Sequence, residues 1–185
     1  MYKALFEMSA DRGEFVSRLF SRPRPAGLRT SMSVASLFAA YARVTSSEAL
    51  YKSNLRAIVN HLTQVRKFTL SANDIEQLEA ICFSFFWQGP ALRYSVSAAP
   101  FNSRRPGGFP TFEEMIVSTD WEGMAQSYLA SEENFRFIKG MQEKNLIVPL
   151  TGNFAGPKAI RSVGRFARAR GAVVSAFYVS NVEQY

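Results

Sequence analysis

The chain has 185 residues, of which 47% are hydrophobic and 14% aromatic, so its composition excludes a disordered polypeptide and suits one domain of ordinary size. Its formal net charge is +7, and 16 of its 22 basic residues are arginine. Arginine binds phosphate in a two-pronged geometry, which favours an anionic partner such as nucleic acid or a phosphorylated metabolite. Charges scattered over a solvated surface would account for the same number.

Other features of the sequence indicate the cellular compartment. No apolar run approaches the roughly 18 residues that a membrane-spanning helix needs, so no membrane partner is expected. The N-terminus lacks the apolar segment of a secretory signal. The single cysteine, Cys82, lies in an apolar run, reads as a small buried hydrophobe and permits no intrachain disulfide. These features predict a cytoplasmic protein.

Apolar residues at helical spacing predict eight helices. The clearest has five apolar residues with a 4-3-4-3 spacing, from Tyr51 to Val65, and Thr111 with Glu114 forms a capping box at the start of another. Loops rich in proline and glycine are expected at 21–33 and 88–110. The predicted helices are 1–8, 11–20, 34–44, 47–67, 71–87, 111–117, 132–144 and 158–170.

The C-terminal segment reads differently. Residues 146–151 and 172–179 are apolar runs of strand length, and the helix predicted at 158–170 joins them. Two such strands with a helical crossover predict a parallel, right-handed βαβ unit and hence an α/β fold. Ligands bind at the carboxyl ends of parallel strands. The candidate ligand-binding residues are therefore Thr151, Gly152, Asn153, Gly156, Lys158, Ser180 and Asn181.

Each candidate site has a structural alternative. The glycines after residue 151 could serve a tight turn, and their spacing fits neither a P-loop nor a dinucleotide-binding fingerprint. A row of arginines on the 158–170 helix could contact nucleic acid or form a solvated face opposite an apolar one. His61 has no catalytic partner nearby in sequence, so a structural role is expected. Trp121 is expected to cap part of the core. No metal-ligand set stands out.

Segments 145–161 and 176–185, together with 127–132 and 1–7, resemble a family of uncharacterised bacterial proteins with a methyltransferase-like Rossmann core. The resemblance implies a partial parallel sheet, and it implies that the chain is truncated at both ends. Members would bind S-adenosylmethionine through upstream strands that this sequence lacks. The implied organisation is a core helix at 1–8, a helical insertion or lid at 9–142, and the βαβ portion at 143–185.

Three functions follow from these observations. The first is a fragment of a methyltransferase-like protein, inactive alone, with a small-molecule cleft at the strand ends and unknown catalytic residues. The second is a non-enzymatic binding module whose arginine-rich surface contacts an anionic partner such as nucleic acid. The third is an interaction role, in which exposed sheet edges mediate self-association.

Overall fold

A computed structural model describes residues 1–93, 109–150, 152–153 and 156–178. The chain separates into two compact units, Met1–Leu146 and Ile147–Tyr185, here called the N-terminal unit and the C-terminal unit. The segments predicted as domains, 1–8, 9–142 and 143–185, remain predictions.

The described residues form eight α-helices, and all eight helices predicted from the sequence are confirmed. A π-helical turn, His61–Val65, continues the fourth helix, and a 3-10 turn, Gly89–Ala91, follows the fifth. The helices are α1 Tyr2–Met8, α2 Arg12–Phe20, α3 Val34–Ala42, α4 Glu48–Asn60, α5 Ala72–Gln88, α6 Phe112–Val117, α7 Glu132–Glu143 and α8 Ala159–Ala169.

Side-chain caps explain where most of these helices begin. Six of the residues that precede a helix accept a hydrogen bond from a backbone amide in its first turn: Asp11, Ser33, Ser47, Ser71, Thr111 and Ser131. Ser71 and Thr111 form complete capping boxes, because Asp74 and Glu114 accept in return from the cap amides. These signals are local in sequence, so the helix starts could be predicted.

Removing one such cap provides a prediction of modest size. We expect Ser71→Ala to lower the free energy of unfolding by about 1 kcal/mol, whereas Ser71→Gly should lower it by only a few tenths. Urea denaturation followed by circular dichroism measures both. An alanine variant as stable as the wild type would show that the start of α5 does not depend on this cap.

Aromatic rings form the centre of the N-terminal unit. The Phe15 ring is fully buried, and its centroid lies 4.7 Å from that of Phe6 and 5.8 Å from that of Phe135. Since these residues come from α2, α1 and α7, the cluster joins the two ends of the unit. A second group of buried rings packs beside it: Phe20, Phe38, Phe85 and Phe112.

A buried arginine fastens two loops to α2. Nη1 of Arg12 donates to the carbonyls of Leu129 and Ala130, each at 2.9 Å, and Nη2 donates to the carbonyls of Thr30, at 3.0 Å, and Met32. Glu132 supplies the counter-charge, with Oε2 3.6 Å from Nε of Arg12. The Arg12 side chain is only 3% exposed, so its function is to satisfy buried carbonyl groups.

The predicted α/β fold is wrong for the residues that the structure describes. They contain helices and two isolated β-bridges, between Arg93 and Thr111 and between Thr119 and Ala125, but no strand and no sheet. Apolar runs 146–150 and 172–178 have no regular secondary structure and no ladder between them. Their composition suits a strand, but a strand also needs a partner at hydrogen-bonding distance, and neither run pairs with the other.

Candidate functional site

Helix α8 has two sharply different faces. At 100° per residue, Arg161, Arg165 and Arg168 fall on one side, and Ile160, Val163 and Phe166 fall on the opposite side. All three arginines are exposed. The set of three arginines is here called the arginine face, and the set of three hydrophobic residues the apolar face.

Positive charge is concentrated in the C-terminal unit. Its 39 residues contain five basic residues and one acidic residue, Glu183, giving a net charge of +4. The N-terminal unit is almost four times longer, yet its 17 basic and 14 acidic residues leave a net charge of +3. More than half of the net charge of the chain therefore belongs to this short segment, and α8 itself contains no carboxylate.

The arginine face makes no ion pair among the described residues, a property it shares with Arg29, Arg43 and Arg56 of the N-terminal unit. Among the described residues, no carboxylate lies within ion-pairing distance of Arg161, Arg165 or Arg168. Five arginines of the N-terminal unit do have such a partner: Arg12, Arg18, Arg24, Arg66 and Arg93. The guanidinium groups of the arginine face are thus available to an external anion.

The apolar face of α8 is open as well. Ile160 and Val163 are each 44% exposed, and Phe166 is 47% exposed. No residue of α8 is buried. The exposure of the three arginines agrees with the alternative of a solvated face opposite an apolar one, and the described residues contain no sheet that could cover the apolar face.

Four candidate ligand-binding residues meet at one cavity in the C-terminal unit. Gly152, Asn153, Gly156 and Lys158 lie along a cavity of about 700 Å³. Most of its remaining lining is apolar: Leu150, Pro157, Ala159, Ile160, Val163 and Phe177. Three further candidates, Thr151, Ser180 and Asn181, lie outside the described residues. The cavity can accept an apolar group, and Lys158 is a cation at its wall.

The two loop glycines are packed tightly. A Cβ atom on Gly152 would lie 2.8 Å from Cβ of Ala159, and one on Gly156 would lie 3.2 Å from both the Cβ and the carbonyl oxygen of Asn153. Neither glycine has a positive φ, since Gly27, Gly89, Gly123 and Gly171 are the described glycines that do. Close packing therefore accounts for both residues, as the tight-turn alternative predicted.

His61, the single histidine of the sequence, belongs to an ion-pair cluster around Glu7. Its Nε2 lies 2.6 Å from Oε2 of Glu7, Lys3 Nζ lies 2.8 Å from Oε1, and Arg66 contacts both oxygens at 2.6 and 2.7 Å. The cluster links α1 to the π-helical turn that begins at His61. A structural role for His61 agrees with this geometry.

Cys82 and Trp121 are the remaining residues that the sequence singled out. Cys82 is buried, as predicted, and burial raises the pKa of its thiol to about 11, so little thiolate forms at neutral pH. The prediction that Trp121 caps the core is wrong, because its side chain is 92% exposed. It lies in a turn fixed by Asp120, whose Oδ1 accepts from the amides of Glu122 and Met124.

The next two features concern metal binding and membrane spanning. No group of three or more histidine, cysteine, aspartate or glutamate side chains is arranged to hold a metal ion in the part of the chain that the structure describes. None of the described helices is long and apolar enough to cross a bilayer.

A comparison with protein families matched one model, described as a domain of unknown function (DUF7790), over residues 100–185. The match covers the C-terminal unit and part of the N-terminal unit, and it is slightly shorter than half of the chain. Neither the curated proteins nor the solved structures gave a match to the chain.

These findings overturn the resemblance to a methyltransferase-like family. The matched family is a different one, and the described residues contain no Rossmann-like sheet. The described lining of the cavity also includes no carboxylate, so the ribose hydroxyl groups of S-adenosylmethionine would find no acidic partner there.

Proposed function

We propose that the chain is a binding module, rather than an enzyme, that recognises an anionic partner through the arginine face of α8. The observation that carries the proposal is the row of three exposed guanidinium groups without a carboxylate partner among the described residues. Guanidinium groups bind phosphate and carboxylate groups directionally, and within the described residues these three make no ion pair, although Arg165 donates to Oγ of Ser162 at 3.2 Å.

The surrounding charge supports the same function. A partner that approaches the C-terminal unit meets a net charge of +4 within 39 residues, and this local field favours encounter with anions. The single histidine and the single cysteine of the sequence both have structural roles. His61 lies in the Glu7 cluster, and Cys82 is buried with a raised thiol pKa. The single buried cysteine also supports our proposal of a cytoplasmic location.

Heparin chromatography tests the proposal. We expect Arg161→Ala/Arg165→Ala/Arg168→Ala to elute from heparin at clearly lower salt than the wild type, because three charge-assisted contacts are lost. Alanine favours helix at least as strongly as arginine, so α8 should persist.

The matched control removes the same charge elsewhere. Arg29, Arg43 and Arg56 are exposed residues of the N-terminal unit without a carboxylate partner in the described chain, and their triple alanine variant has the same net charge. We expect this control to elute close to the wild type. If both triple variants eluted at equally lowered salt concentrations, net charge alone would explain heparin binding. That result would contradict a specific role for α8.

A further inference from the structure

The two faces of α8 together restrict the kind of anion that suits it. A nucleic acid bound to the arginine face would leave Ile160, Val163 and Phe166 as exposed to water as before. A partner that presents negative charge beside an apolar layer would contact both faces at once. An anionic lipid surface has this construction, because its charged headgroups lie directly above the acyl chains.

We propose that α8 lies in the headgroup region of an anionic lipid surface, with its apolar face towards the acyl chains. This inference rests on the proposed function and names its partner. The helix has the required composition: no acidic residue, three arginines on one face, and aliphatic and aromatic side chains on the other. Arginine side chains reach back towards phosphate groups while their methylene stems stay in apolar surroundings.

The apolar surface continues past the end of α8. The guanidinium carbon of Arg170 lies 3.5 Å from the centroid of the Phe166 ring, so this cation stacks on the ring at the C-terminal end of the helix. Beyond it, Val173 and Val174 are 88% and 61% exposed, which extends the apolar surface towards the C-terminus.

The cavity beneath α8 offers room for part of a lipid. Ile160 and Val163 belong both to the apolar face and to the wall of the cavity of about 700 Å³. Lys158 lies at the same wall, where its ammonium group can meet a headgroup phosphate. The sequence predicted no membrane partner because no segment is long enough to span a bilayer, and the proposed peripheral contact departs from that prediction, since it needs no such segment.

Vesicle co-sedimentation tests the inference with full-length protein. The probes are vesicles of pure phosphatidylcholine and vesicles of equimolar phosphatidylcholine and phosphatidylglycerol, at about 0.1 M salt, where charges act over about 10 Å. We expect binding to the anionic vesicles only. The alanine triple variant of the arginine face should bind about 100-fold more weakly, at roughly a fivefold loss for each arginine.

A second variant tests the apolar face separately. Ile160→Gln/Val163→Gln/Phe166→Gln should also reduce the partition coefficient, by about 30-fold or more, because three half-exposed apolar side chains no longer enter the acyl layer. The control is Ile81→Gln/Val65→Gln/Phe137→Gln, which changes the same residue types at positions in the N-terminal unit that are 46%, 64% and 67% exposed. This control should bind vesicles as the wild type does.

The other outcomes overturn the inference in distinguishable ways. If the wild type binds a DNA duplex or heparin but not the anionic vesicles, the lipid inference fails and the proposed function stands. If the arginine-face variant binds the DNA duplex, heparin and the anionic vesicles as the wild type does, the proposed function fails too. If the glutamine variant of the apolar face binds vesicles as the wild type does, charge alone accounts for the binding. The inference that the apolar face contacts the acyl chains then fails. If sedimentation equilibrium shows a dimer that this variant dissociates, a second copy covers the apolar face, and the inference fails.

Discussion

Replacing Arg12 with alanine is expected to lower the free energy of unfolding by about 3–5 kcal/mol, since removing one partner of a buried ion pair leaves the other charge without compensation. Glu132 is that partner, and its side chain is only 10% exposed. The substitution also leaves the buried carbonyl of Leu129 and the partly buried carbonyls of Thr30, Met32 and Ala130 without this donor. The stability of Arg12→Lys should lie between those of the wild type and Arg12→Ala, because a single ammonium group keeps the charge but cannot reach both loops.

Arg18→Ala is the matched control for this experiment. Arg18 is on the same helix and pairs with Glu14 at 2.5 Å, but its side chain is 26% exposed, so we expect a loss of about 0.5 kcal/mol or less. Urea denaturation at neutral pH compares the two variants. If Arg12→Ala were no more destabilising than Arg18→Ala, the buried arginine would not be what holds the loops to α2.

Replacing Glu7 with glutamine is expected to lower the free energy of unfolding by about 3 kcal/mol. The Glu7 side chain is 3% exposed and is the common partner of Lys3, His61 and Arg66, so the substitution leaves these groups close together without a counter-charge. Glu14→Gln is the control, since it removes a carboxylate that is 30% exposed and has one arginine partner. We expect the control to lose about 0.5 kcal/mol or less.

The same substitution should change how stability depends on pH. Burial acts to raise the pKa of the Glu7 carboxyl, but hydrogen bonds from Arg66, Lys3 and His61 outweigh it, and the pKa lies below its ordinary value of 4.5. The folded protein therefore binds fewer protons than the unfolded chain in this range. The stabilisation is complete above pH 4.5 and is lost as the pH falls towards the folded-state pKa.

Denaturant titrations at several acidic pH values measure this dependence. The difference in stability between wild type and Glu7→Gln should shrink as the pH is lowered below 4.5. Taking the difference removes the opposite effect of Glu132, whose carboxyl pKa is raised chiefly by burial. A difference that is constant down to acid pH would contradict a charged role for Glu7.

The helices of this chain could be predicted because their signals are local. A cap residue, an acidic residue three positions later and apolar residues at helical spacing all lie within one segment. Ser71 with Asp74, and Thr111 with Glu114, are examples in which the predicted helix start and the observed one coincide. Periodicity was less reliable for individual positions. Val65 shares the predicted apolar stripe with Leu62 but is 64% exposed, because the π-helical turn changes the phase there.

Long-range contacts could not be predicted in the same way. Arg12 begins a short helix and has no sequence feature that distinguishes it from exposed Arg18, yet its partners lie about 20 and 120 residues further along the chain. The partner of His61 lies 54 residues earlier. The predicted sheet was wrong for a related reason, since an apolar run reports that a segment suits burial without reporting which segment covers it.

The candidate ligand-binding residues remain a prediction. The loop containing Gly152 and Lys158 does line a cavity, and the arginine row on α8 is solvated as expected. The openness of the apolar face was missed, because it follows from the absence of a covering sheet in the described chain. The uneven distribution of charge between the two units is visible in the sequence alone, since no acidic residue occurs between Glu143 and Glu183.

Hydrogen exchange of α8 with and without heparin tests the central claim most directly. A ligand that binds only the folded helix slows exchange of its amides by a factor that grows with the ratio of the free ligand concentration to the Kd. We predict slower exchange in peptides that cover α8, and little change in peptides from the N-terminal unit. Slower exchange confined to the N-terminal unit, with α8 unaffected, would contradict the assignment of α8 as the surface that binds the anionic partner.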